Sequence, residues 1–139
     1  MRAGTEYFLR TVMQISEVFD GDLTRAVVFL TINAANTGYM LDDPELDRRF
    51  AEAEIYVPEE ARRPITRTAV SNAARIPFET ARRHCNALVA DGWCKDLGPR
   101  GLVVNIERAS HPAVLRMREA NEASLRRLLQ RIGYEPPAE

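Results

Sequence analysis

Within two helical turns the chain sets out a carboxylate, a hydroxyl, two guanidinia and a primary amide, at Glu79, Thr80, Arg82, Arg83 and Asn86. These groups form hydrogen bonds but lack the partners that would make one of them a nucleophile, so the chemistry they suit is recognition. An arginine fork matches a guanine edge or a phosphate, and short polar groups beside it leave room for close approach. Such groups act together only if one helix presents them. At 100° per residue Ala81, Cys85, Leu88 and Val89 share one side, and Glu79, Arg83 and Asn86 lie roughly opposite. Thr80 and Ala87 fall beside the polar face, and Arg82 falls on a flank where a phosphate would lie. The competing reading is that Arg82 and Arg83 are ordinary solvated charges.

The elements around this helix follow from local signals. Ile65 and Val70 stand at the two ends of a hydrophobic staple, with Thr66 between them as N-cap of a short helix through Ala74. Ala69 and Ala73 are small enough for close helix contact. Arg75-Ile76-Pro77 is then a tight turn, and Pro77 opens the second helix, Phe78–Asp91, where its missing N–H costs nothing. Gly92 suits a left-handed C-cap, with Trp93 packing back on Leu88. Two short strands follow, Trp93–Leu97 and Leu102–Ile106, the second rich in β-branched residues. Gly98-Pro99-Arg100-Gly101 joins them as a type I turn with Arg100 at its tip. The arginine either touches DNA there or is a solvated hairpin residue.

Residues 65–104 resemble the winged helix-turn-helix of bacterial transcription regulators, of the broad MarR-like and GntR-like kind. The resemblance rests on Ile76-Pro77-Phe78-Glu79-Thr80-Ala81-Arg82-Arg83, on the exit Leu88-Val89-Ala90-Asp91-Gly92-Trp93, and on the hairpin that follows. It implies a second helix in the DNA major groove and a wing near the flanking minor groove. One departure is Arg75, where such turns often carry glycine. It must adopt a left-handed conformation, or the turn differs locally. The nucleic-acid-binding set expected from this arrangement is Arg67, Phe78, Glu79, Thr80, Arg82, Arg83, Asn86, Lys95 and Arg100.

The charge distribution agrees. The chain has 139 residues and a net charge of −1, too little for a general DNA coat. Residues 62–108 carry nine basic and four acidic side chains, whereas residues 1–61 carry five basic and twelve acidic. A basic module beside an acidic one suggests DNA on one side only. Three regions are expected: N-terminal scaffold helices over 1–61, the DNA-binding module over 62–108, and a C-terminal helix over 109–139. The fold class is mainly α with a small β-hairpin wing and additional N- and C-terminal helices.

The flanking segments read as helical scaffold. Thr5–Phe19 is amphipathic, with Phe8, Val12, Ile15 and Phe19 roughly on one face, and Asp20-Gly21-Asp22 breaks it. Leu23–Thr37 is apolar on most sides and should be buried on more than one. Asn33 and Asn36 on this helix face a small-molecule effector, are partnered buried amides, or lie in exposed turns. A third helix, capped at Asp43-Pro44, should run to about Tyr56. The last, from about Pro112 to Ile132, repeats Val114, Arg118, Asn121, Leu125, Leu128 and Ile132 at spacings of three and four, with Leu129 widening the stripe. Leu125, Leu128, Leu129 and Ile132 form the expected homodimer interface. The alternative is packing on Thr5–Phe19 in the same chain.

Other function classes find little footing. The glycines are scattered singly, so no phosphate loop forms. His84 and His111 lack a Cys or Ser at a telling spacing, and Ser71, Ser110 and Ser124 lack an elbow. No catalysis and no cofactor are expected. Cys85 and Cys94 match no metal motif and read as packed thiols of a cytoplasmic protein. The longest apolar run, Ala26–Ile32, is far short of the ~20 residues a membrane span needs. The expected partner is double-stranded DNA, bound by a homodimeric regulator. The alternative function is a winged helix used only for protein contact.

Overall fold

A computed structural model describes residues 2–50 and 57–134 of the chain. Helices dominate: α1 (Arg2–Val18), α2 (Leu23–Thr37), α3 (Pro44–Phe50), α4 (Arg67–Ala74), α5 (Phe78–Ala90), α6 (Ile106–Ala109) and α7 (Pro112–Arg131). The only sheet among the described residues is a two-stranded antiparallel hairpin, β1 (Cys94–Asp96) and β2 (Leu102–Val104). The expected continuation of α3 to Tyr56 lies outside the described residues. No described helix is long and apolar enough to cross a membrane.

Two compact units form, one from residues 24–110 and one from the segments 1–23 and 111–139. This grouping differs from a division at residues 61 and 108. The reason is Asn36, on α2. Its fully buried amide donates to the carbonyls of Arg63 at 2.8 Å and Leu102 at 3.1 Å, and accepts the Val104 N–H at 2.9 Å. The amide therefore occupies the place of a third strand along part of β2 and binds α2 into the same unit. Asn33 accepts from the Arg62 guanidinium at 3.2 Å. Both amides are partnered, as one of the expectations had it.

The core of the 24–110 unit is built from Ala26, Val28, Phe29 and Ile32 of α2, Val70 of α4, Ala81, Cys85 and Leu88 of α5, and Leu102, Val103 and Val104 of β2. Trp93 joins it edge-on to Phe29, with ring centroids 5.6 Å apart, and the Arg108 guanidinium covers the indole at 4.7 Å. α2 buries Ala26, Val28, Phe29 and Ile32 in this core. Leu23, Val27 and Leu30, spaced along one stripe, are exposed.

In the other unit α1 and α7 run antiparallel. Glu6 pairs with Arg131 near one end, and Thr11 donates its hydroxyl to Asn121 Oδ1 at 3.1 Å further along. Ser124 is buried and Leu128 half-buried, while Leu125 and Ile132 are exposed. The face of α7 turned to α1 is thus the polar flank of the leucine stripe, not its centre. Ile15 of α1 and Phe19 just after it are buried, but Phe8 and Val12 of the same expected stripe are exposed, together with Leu9 and Met13.

Candidate nucleic-acid interface

Local sequence dictates the α4–turn–α5 geometry. The Thr66 hydroxyl oxygen accepts the Ala69 N–H at 3.2 Å, capping α4, and both Ile65 and Val70 are buried. At the other end Arg75 is left-handed, with φ 55° and ψ 44°. Its position allows the Ile76 N–H to reach the Ser71 carbonyl at 3.2 Å, and the Ser71 hydroxyl returns a bond to the Ile76 carbonyl at 2.7 Å. These two bonds hold a non-glycine residue in a costly conformation. Pro77 lies one position before the helix proper, where its carbonyl accepts the Ala81 N–H at 3.0 Å. Ala73 is exposed and Ala69 half-buried, so Ala73 does not serve close helix contact.

The exit of α5 is a Schellman closure: Trp93 N–H bonds to Leu88 C=O at 2.8 Å and Gly92 N–H to Val89 C=O at 3.1 Å, with Gly92 at φ +78°. The chain then enters β1 directly. Cys94 pairs with Val104 and Asp96 with Leu102 in the ladder. Gly101 N–H closes the turn on Gly98 C=O at 3.1 Å, with Pro99 and Arg100 at its tip. Ile65, just before α4, exchanges two backbone bonds with Leu102, at 3.1 and 2.8 Å. The hairpin is therefore fastened to the start of the helix pair.

α5 divides its faces as its sequence requires. Ala81, Cys85 and Leu88 are fully buried and Val89 is half-buried. Phe78, Glu79, Arg83 and Asn86 are exposed, with Thr80 and Arg82 partly so. Arg82 grips Glu79 with both ends of its fork, at 2.8 and 2.5 Å. That bond holds the Glu79 carboxyl below its usual range and raises the guanidinium. Exposed pairs of this kind contribute only a few tenths of a kcal/mol. Arg82 can therefore leave Glu79 for a phosphate at little cost.

Arg67 ties the three elements together. Its Nε donates to Asn86 Oδ1 on α5 at 2.9 Å, and its Nη2 to Asp96 Oδ2 on β1 at 2.8 Å. Asp96 also accepts the Gly98 N–H on Oδ1 at 2.9 Å. Arg67 first, and Gly98 second, hold the Asp96 carboxyl below its ordinary value. This chain of bonds runs from the exposed face of α5 to the turn that carries Arg100.

The nine basic residues of 62–108 are not equivalent. Arg62 is buried against the Val57 carbonyl and Asn33, and Arg63 lies over the Tyr39 ring at 3.9 Å. Arg108 covers Trp93. Lys95 pairs with Glu59 at 2.6 Å, an ion pair that raises its pKa. It follows Cys94 and precedes Asp96 in β1, so it points to the opposite face of the hairpin from Asp96. The structure does not bring Lys95 to the other candidates. The side chains of Arg75, Arg83 and Arg100 have no hydrogen bond, ion pair or ring contact among the described residues. Arg75 was not among the expected binders, because sequence alone presents it as a conformational problem. Its signal is a charged residue at the tip of a helix–helix turn.

Neither thiol is poised for chemistry. Cys85 and Cys94 are buried and unbridged. Burial raises both, Cys94 to about 12, and the neighbouring Cys85 adds to the shift at Cys94. Among the described residues no group of three His, Cys, Asp or Glu side chains could hold a metal ion.

No protein-family model matches this chain, and neither does a curated protein or a solved structure.

Proposed function

We propose that this chain is a sequence-specific duplex-DNA-binding regulator of transcription, of bacterial type, that uses residues 62–108 as a winged helix-turn-helix and works as a homodimer. The observation that carries the reading is the Asn86–Arg67–Asp96–Gly98 chain of hydrogen bonds, which anchors the Arg100 turn beside the exposed polar face of α5. A helix that enters a major groove while an adjacent hairpin reaches the flanking groove needs such a fixed relation. Arg83 and Asn86 then face base edges and Phe78, exposed at the start of α5, suits a thymine methyl. Arg75 and Arg100 are free to meet phosphates, and Arg82 can join them.

The dimer part of the reading rests on α1 and α7. Phe8, Leu9, Val12 and Met13 on one helix and Leu125 and Ile132 on the other are exposed, a clustering of apolar side chains that a second copy would cover. Two copies double the base contacts of one small module.

The deciding experiment is binding to a random duplex pool, with sequencing of the bound fraction and a salt series on the selected site. A regulator enriches one motif, and its affinity falls steeply as salt rises, through release of condensed counterions. Absence of duplex binding even at low salt would end the DNA reading and leave the protein-contact alternative.

A further inference from the structure

A guanidinium carries only donors. The atom of the Asn86 amide that faces Arg67 must therefore be its oxygen, 2.9 Å from Nε, whichever way the amide is otherwise drawn. Its NH2 group is turned away from Arg67, on a residue that is exposed. To swing aside, Arg67 must give up its bond to Asp96 as well, and Asp96 is itself held by the Gly98 N–H. Outward, Asn86 thus presents the two donors of its NH2 group, while its oxygen is turned to Arg67. An unrestrained asparagine offers one of each, the combination that bonds adenine at N6 and N7 together.

We infer that Asn86 reads a base edge only as a donor, favouring guanine with its N7 and O6 acceptors and rejecting cytosine, and that Arg67 is the positioning residue that imposes this polarity. The inference rests on the DNA-binding reading above and deepens it. In this reading Nε and Nη2 of Arg67 act within the protein, on Asn86 and Asp96, rather than on a phosphate.

The test compares wild type, Asn86→Asp and Arg67→Met by selection from a random duplex pool and by salt titration. Asn86→Asp keeps an oxygen for Arg67 but turns the outward group into an acceptor. The preferred base at one position should change from guanine to cytosine, whose N4 group donates, by roughly tenfold in relative affinity. Arg67→Met releases the amide. Adenine should gain at that same position, with the slope of log affinity against log salt unchanged. The inference is overturned if Asn86→Asp binds more weakly with its base preference intact. It is also overturned if Arg67→Met flattens the salt slope by about one, the signature of a lost phosphate contact. Should Arg67→Met fail to fold, Asn86→Asp decides alone, because it preserves the bond to Arg67. A wild type that binds no duplex sinks the DNA reading itself, which is a different result from an unshifted preference.

Discussion

The side-chain oxygen of Asn36 accepts the backbone N–H of Val104 at 2.9 Å, across 68 residues of chain and with both groups buried. The same amide donates to the carbonyls of Arg63 and Leu102. Asn36→Ala should orphan the Val104 N–H in an apolar surround and lower stability by about 2–4 kcal/mol. Asn36→Leu should do no better, because volume is not what is lost. Urea unfolding followed by fluorescence of the single tryptophan, Trp93, measures this directly.

The two glycines of the hairpin turn should respond differently. A Cβ at Gly101 would lie 2.3 Å from the Ile65 carbonyl oxygen, and its φ is +108°. At Gly98 the φ is +67° but the space is open. Gly98→Ala should cost about 1–2 kcal/mol from conformation alone. Gly101→Ala should cost clearly more and break the Ile65–Leu102 bridge. Equal losses in thermal unfolding would mean that the close approach does not govern the turn.

On α5 the exposed arginines should separate by function. Arg83→Ala should cost ~1–3 kcal/mol on the preferred site and relax its sequence preference. Arg82→Ala should weaken all duplexes about equally. Glu79→Gln, which releases Arg82, should strengthen binding to unrelated duplexes. Competition binding on matched and mismatched duplexes distinguishes these, and an unchanged preference in Arg83→Ala would deny it a base-reading role.

How much of this was legible in the sequence depended on distance along the chain. The cap at Thr66, the left-handed Arg75 and the Gly92–Trp93 closure are decided by neighbours within a few residues, and each could be expected from them. The bonds of Asn36 could not, since its partners lie 27, 66 and 68 positions away. Lys95 was expected with the other cations because it is basic and nearby, but a strand sends adjacent side chains to opposite faces, and Glu59 lay waiting on the far one. Periodicity marked an apolar stripe on α1 correctly. It carries no information about whether Phe8 and Val12 are covered, only that they share a side with Ile15 and Phe19.

The buried thiols predict an alkaline limit. Cys94 is raised to about 12 in the folded chain, above the ordinary thiol value near 9, and Cys85 is raised in the same direction. A folded pKa above the unfolded one means that this contribution is fully present below pH ~9 and is lost as pH rises toward 12, at up to ~1.4 kcal/mol per pH unit and group. Cys94→Val should flatten that decline relative to the parent. Denaturant midpoints taken between pH 8.5 and 11 would show whether the two curves converge or keep their separation.

The apolar surface of α1 and α7 should hold two copies together. Leu125 and Ile132 are 39 % and 62 % exposed, so Leu125→Glu with Ile132→Glu leaves the α1–α7 contact intact while placing charges in a covered interface. Burying an unpaired charge costs several kcal/mol. The double variant should sediment as a monomer, keep its helical content and lose affinity for the selected DNA site. A parent that is already monomeric at tens of micromolar contradicts the dimer.

One unit of this protein is made of two separate stretches of chain, with residues 24–110 lying between them. During synthesis α1 leaves the ribosome before that whole span, and α7 only after it. At typical elongation rates the wait is on the order of ten seconds, ample time for the continuous unit to fold first. Throughout that interval α1 has no α7 beside it, and Glu6 and Thr11 lack Arg131 and Asn121. The pairing of α1 with α7 is therefore the last tertiary contact that synthesis allows to form.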